Sequence, residues 1–81
     1  MKIPRDCNAS VLIKALRKQY GYEPVRQIGS HITLTTQEKG EHSVTVPNHS
    51  PLKVGTLQGI LKDVSEHHEV NLQELLRLLG L

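Results

Sequence analysis

The chain has 81 residues, 37 % of them hydrophobic, with no Trp or Phe and a single cysteine, Cys7. A chain this short holds one thin core of Leu, Ile and Val, with Tyr20 and Tyr22 as its only large rings, which excludes a deep ligand cavity. Net charge is +2, but it is unevenly spread: residues 1–62 carry nine Lys/Arg against four carboxylates, and residues 63–81 carry Arg77 against four. A basic body with an acidic tail favours a polyanionic partner held through its phosphates, against the plain alternative of ordinary charge scatter.

The first periodic segment spans 8–20. Ala9, Leu12, Leu16 and Tyr20 recur at helical spacing on one face, while Lys14, Arg17 and Lys18 share another. Asn8 or Ser10 is the expected N-cap, through a side-chain oxygen accepting a first-turn amide, and Gly21 the expected stop. Three short strands follow, over 25–28, 30–36 and 42–46. In the second, Ile32 and Leu34 alternate with His31, Thr33 and Thr35. The polar run 37–41 suits a hairpin loop, and Pro47 ends the third strand because proline cannot donate to a ladder. A second helix is expected over 54–65, with Leu57, Ile60, Leu61 and Val64 as its apolar stripe. A third begins at Asn71, where Asn71 and Glu74 have capping-box spacing; Leu72, Leu75, Leu76 and Leu79 form its apolar side and Gly80 ends it.

Strands joined by such short loops must be antiparallel. The face carrying Ile32, Leu34, Val44 and Val46 needs a cover, and the two main helices supply it. The expected fold is therefore α+β: an α-β-β-β-α double-stranded-RNA-binding-domain-like topology with one open sheet face and a short C-terminal helix. The domain is expected to span 1–81, with 8–65 as its body and 71–79 as the added helix.

On the open face, His31 is the residue best suited to chemistry. An imidazole takes up and returns a proton near neutral pH, and RNA carries its own nucleophile in the 2′-hydroxyl. An enzyme acting on RNA then needs a base, charge stabilisation and alignment, and no metal. By spacing alone an exposed strand histidine is more often a plain surface residue. His49, in the proline-flanked loop, is a candidate second proton carrier or phosphate ligand, or simply a turn residue. Ser30 adjoins His31, but neighbours on a strand point to opposite faces, so a Ser/His/Asp arrangement is not supported. His42, His67 and His68 show no pattern, and the adjacent pair makes a poor metal site. Lys14, Arg17, Lys18, Arg26, Lys53 and Lys62 are candidate phosphate contacts, with Thr56 at a helix start that offers amides to a phosphate. Any one of them alone is an ordinary surface charge. Aromatic platforms for stacking bases are nearly absent.

No Cys pair has metal-ligand spacing, and no apolar run approaches the roughly 20 residues of a membrane span. A small secreted domain usually needs disulfides. The N-terminal stretch lacks an apolar signal-peptide core. The expectation is a cytoplasmic protein with no cofactor, no metal and no membrane partner.

Three stretches together resemble one family. Val25-Arg26-Gln27-Ile28-Gly29-Ser30-His31 is similar to the Arg-Gln-x-Gly-Ser-His segment of HicA toxins. Val44-Thr45-Val46-Pro47-Asn48-His49 resembles their Val-Pro-x-His strand end, and Gly55-Thr56-Leu57-Gln58-Gly59-Ile60-Leu61-Lys62 their Gly-Thr-Leu-x-x-Ile-Leu-Lys helix. The resemblance covers roughly 8–79. It implies an mRNA interferase with the double-stranded-RNA-binding fold, one half of a toxin–antitoxin pair, with His31 catalytic. It also implies mRNA as substrate, a HicB-like antitoxin that covers the active face, and no DNA contact by the chain itself. Two departures are Val54, where a Lys often precedes the Gly, and Gly59 inside the helix, which costs about 1 kcal/mol relative to Ala. The alternatives are a non-catalytic RNA-binding module of the same fold and a pure protein-interaction domain.

Overall fold

A computed structural model describes Ile3, Pro4 and residues 6–81. Met1, Lys2 and Arg5, which belong to the segment read as lacking a signal-peptide core, lie outside the described residues. The element order is α1 (Ala9–Tyr20), β1 (Glu23–Ile28), β2 (His31–Thr36), β3 (His42–Pro47), α2 (Val54–His68) and α3 (Leu72–Leu79). The strands form one antiparallel sheet in the order β1-β2-β3. This is the expected α-β-β-β-α fold.

Each element follows from its pattern, with instructive exceptions. Ala9, Leu12, Leu16 and Tyr20 are the buried face of α1, and Gly21 ends the helix at a φ of 70°, a left-handed conformation that glycine adopts without a Cβ clash. Asn8 occupies the N-cap position, but its side chain makes no cap bond. The Val11 amide donates to the Asn8 backbone carbonyl at 3.0 Å, and the Ala9 amide to the His49 carbonyl at 3.1 Å, so the loop after β3 satisfies the first amide of the helix. This corrects the expected side-chain cap.

The alternation of β2 holds: Leu34 and Thr36 are buried and His31 is exposed. Thr36 is polar and still faces inward because its hydroxyl donates to the Tyr20 carbonyl at 2.5 Å and accepts from the Glu38 amide at 3.1 Å. Ser30 lies in the β1–β2 turn rather than in the strand, and Pro47 is the last residue of β3 rather than the first beyond it.

The second helix runs three residues past its expected end, to His68. The reason is that His68 extends the buried stripe of Leu57, Ile60, Leu61 and Val64 with a ring, which stacks on Tyr20 at 4.0 Å between centroids. In α3 the Asn71 side chain accepts from the Glu74 amide at 2.8 Å, half of the expected capping box. The Glu74 carboxylate pairs with Arg77 instead of closing the box. Leu75, Leu76 and Leu79 are buried where α3 packs on both α1 and α2.

The helices cover the sheet unevenly. Leu34, Val44 and Val46 are buried beneath α1 and α2, which lie over β3. β1 reaches beyond this cover, and all six of its residues are exposed. A register shift between Pro24 and Arg26 bulges the strand at Val25, which is 61 % exposed. Ile32, next to β1, is only half-buried for the same reason. Bulge and proline together blunt an edge that would otherwise invite another strand.

Candidate active site on the open sheet face

Strand register decides which side chains share a face. Ile28, His31 and Pro47 are paired across the three strands, as are Arg26, Thr33 and Thr45 in the next row that faces the same way. Directly paired residues project to the same side, so His31, Arg26, Thr33, Thr45, Thr35 and Ser43 all lie on the side of the sheet away from the helices. Two cross-strand hydroxyl pairs line it: Thr33 with Thr45 at 3.4 Å and Thr35 with Ser43 at 2.7 Å. These bonds leave a polar surface of short side chains, with His31 exposed at one end. Arg26 is its diagonal neighbour, at a backbone separation of about 7–8 Å, within reach of a long side chain. Ile28, 60 % exposed, is directly opposite His31.

The expected auxiliary residues are placed as follows. His49 is exposed two positions after Pro47, the β3 partner of His31, so it lies at the same end of the sheet. The Ser30 carbonyl accepts from the Asn48 amide at 2.6 Å and ties the β1–β2 turn to the loop that carries His49. Lys53 is the N-cap residue of α2, and Thr56 is half-buried in its first turn. Lys62 is exposed further along α2.

The α1 cations sit elsewhere. Lys14 and Arg17 line a cleft on the helix side of the sheet, and Arg17 is held by Glu23 of β1 at 3.2 Å. Lys18 lines a separate groove between α1 and α3, beside Arg77. The structure therefore brings Arg26 to the His31 face, brings His49 to the same sheet end, and sets Lys18 apart from both.

The other three histidines, patternless in the sequence, converge at the opposite end of the sheet. His42 opens β3, five residues before Pro47, which puts it about 17 Å along the strand from the row of His31. Tyr22, fully buried, bonds His42 Nδ1 at 2.7 Å and His68 Nε2 at 3.0 Å through one hydroxyl. His42 Nε2 meets an Asp63 carboxylate oxygen at 3.1 Å. His67 stacks on His42 at 4.3 Å and donates from Nε2 towards the Glu38 and Gly40 carbonyls. Burial pushes the His68 pKa down to about 4, helped by the positive potential of His67, His42 and Lys39. Burial also raises the Tyr22 hydroxyl well above its usual range, with Asp63 adding to it. A neutral ring and a phenol that keeps its proton make this cluster a structural network. The one sequence signal for it is His68 at four residues from Val64, in step with the α2 stripe. Among the described residues, no group of three His, Cys, Asp or Glu is arranged to hold a metal ion. No helix is long and apolar enough to cross a membrane.

Fold and site together define a small α+β domain of double-stranded-RNA-binding topology with one polar, histidine-bearing sheet face. The family model described as HicA toxin of bacterial toxin-antitoxin matches residues 9–65. The chain belongs to the HicA toxin family and is thus the toxin component of a toxin–antitoxin system, which pairs with an antitoxin. No curated protein and no solved structure gives a significant match. The matched span runs from α1 to Ser65 near the end of α2 and leaves α3 outside it.

Proposed function

We propose that the chain is a metal-independent endoribonuclease, an mRNA interferase, in which His31 is the general base. The observation that carries this reading is an imidazole exposed at the end of a polar sheet face, with Arg26 one diagonal step away in the strand register. His31 takes the proton of a ribose 2′-hydroxyl as O2′ attacks the adjacent phosphorus. The P–O5′ bond breaks, and O5′ leaves with a proton for which His49 is the nearest candidate donor by topology. Arg26 neutralises the charge that builds on the phosphoryl oxygens. The products of such a step carry a 2′,3′-cyclic phosphate and a 5′-hydroxyl. Lys53, Lys62 and the amides of the first turn of α2 hold neighbouring phosphates without reading sequence. The antitoxin, HicB-like in this reading, inhibits by covering the same open face, and the chain meets its mRNA in the cytoplasm.

The test is cleavage of intact RNA by purified protein in excess chelator. Cleavage that His31→Ala abolishes, with far-UV circular dichroism unchanged, supports the reading. Undiminished cleavage by that variant removes His31 from the mechanism, and ends bearing a 5′-phosphate remove the 2′-hydroxyl attack. Salt-sensitive binding with no cleavage assigns the chain to non-catalytic RNA binding.

A further inference from the structure

The uneven cover of the sheet leaves a second feature with its own chemistry. Between α1 and the overhanging β1–β2 hairpin lies a cleft of about 530 Å³, inside the range of sites that take small organic groups. Ile13 of α1, Ile32 of β2 and Pro24 of β1 supply its apolar surface. Two amide side chains, Gln27 and Asn48, the Ser10 hydroxyl and two cations, Lys14 and Arg17, supply its polar groups. Gln27 Nε2 donates to the Gly29 carbonyl at 3.1 Å, which orients the amide and leaves Oε1 as an acceptor. Asn48 is exposed, with both a donor and an acceptor to offer. Lys14 forms no ion pair among the described residues, while Arg17 is already held by Glu23.

The cleft adjoins the open face through the strand end. Ile32 follows His31 in the chain, and Asn48 follows Pro47, the β3 partner of His31. The cleft and the imidazole therefore lie on opposite sides of one strand end, separated only by the β1–β2 turn and the tail of β3. A flexible single strand that passes over this end with a phosphate at His31 brings the adjoining nucleotide to the cleft.

We propose that this cleft takes one unstacked nucleobase of the RNA, selecting bases whose pairing edge sets an exocyclic amine beside an unprotonated ring nitrogen, adenine or cytosine, over uracil. Ile13, Ile32 and Pro24 give the ring an apolar slot, a substitute for the aromatic platforms this chain lacks. Gln27 Oε1 accepts from the exocyclic amine, and the Asn48 amide donates to the ring nitrogen beside it, the pairing geometry that amide side chains use on adenine. Uracil offers a carbonyl where the amine would be, and leaves Gln27 Oε1 facing another acceptor. Lys14 holds the phosphate attached to that nucleotide. The inference rests on the ribonuclease reading for the identity of the ligand as RNA, and adds the source of base preference.

The test uses the full chain and fluorescent 2′-O-methyl pentanucleotides, which lack the attacking hydroxyl and stay intact. The adenine-centred and cytosine-centred oligomers should bind about five- to tenfold more tightly than the all-uridine oligomer, the lower part of the range for a well-formed base contact. Gln27→Leu should abolish that preference by weakening the adenine-centred and cytosine-centred oligomers to the level of the all-uridine one, and Asn48→Ala should reduce it. The methyl resonances of Ile13 and Ile32 in the unaltered protein should shift on titration with the adenine-centred oligomer. Equal affinity for all three oligomers overturns the proposal. So does a preference that survives both substitutions, or methyl resonances that stay in place while the oligomer binds. RNA cleavage with no base preference sinks the cleft alone; base preference without cleavage sinks the ribonuclease and leaves the cleft standing.

Discussion

Acid should destabilise this domain through a single buried ring. His68 is 4 % exposed, stacked on Tyr20 and bonded to the Tyr22 hydroxyl, and Lys39 Nζ reaches its carbonyl at 3.3 Å. Burial depresses its pKa to about 4, from 6.5 in an unfolded chain. Above pH 6.5 the ring is neutral in both states, and its burial is fully tolerated. Between 6.5 and 4 the unfolded chain binds a proton that the folded chain refuses, so stability falls as pH falls. The slope is about 1.4 kcal/mol per pH unit for one proton, which gives a loss on the order of 3 kcal/mol across the window. A domain of this length has roughly 4–12 kcal/mol in total. The loss should therefore be plain in urea midpoints followed by circular dichroism at pH 7.5, 6.5, 5.5 and 4.5. His68→Gln keeps a donor for Tyr22 and removes the titration, so its midpoints should decline less steeply, by about one proton's worth. Parallel decline of the two proteins, or a flat profile in the unaltered chain, would refute the assignment of acid sensitivity to this ring.

Other outcomes follow from the same contacts. Tyr22→Phe leaves the buried His68 Nε2 and the partly buried His42 Nδ1 without their shared partner and should cost about 2–4 kcal/mol in urea unfolding. Tyr20→Phe should cost less than about 0.5 kcal/mol or stabilise, because the buried Tyr20 hydroxyl has no hydrogen-bond partner among the described residues. Gly59→Ala should stabilise by about 0.5–1 kcal/mol, read from the thermal midpoint, since a Cβ at this exposed helical position meets nothing within 4 Å. Arg26→Ala should lower RNA affinity alike across sequences and reduce the slope of log affinity against log salt by about 0.7, measured with single-stranded RNA.

Local periodicity and turn chemistry were enough to read the order of elements. Alternation in β2 separates Ile32 and Leu34 from His31, because a pleated strand turns successive side chains to opposite faces. The stripes of α1 and α3 and the glycines at 21 and 80 are equally local. The family resemblance lay in three contiguous segments and needed no coordinates, and it is what points to His31. What local pattern cannot carry is the meeting of residues far apart in the chain. Tyr22, His42 and His68 are 20 and 46 positions distant, and two of the three are polar rings that read as surface residues until they find one shared hydroxyl. At the start of α1 the Asn8 side chain makes no cap bond: the Val11 amide turns to the Asn8 backbone carbonyl, and the Ala9 amide to a carbonyl of the distant His49 loop. Packing also decided how far the helices reach across the sheet. They lie over β3 and leave β1 uncovered, and the bulge at Val25 sets which β1 residues share a face with His31 and which line the cleft. Sequence alone thus determined the elements and which face of β2 bears the imidazole, since both depend on neighbouring residues. Only the tertiary structure set the histidine network, the overhang and the cleft, since each depends on surfaces that exist only after distant segments have packed.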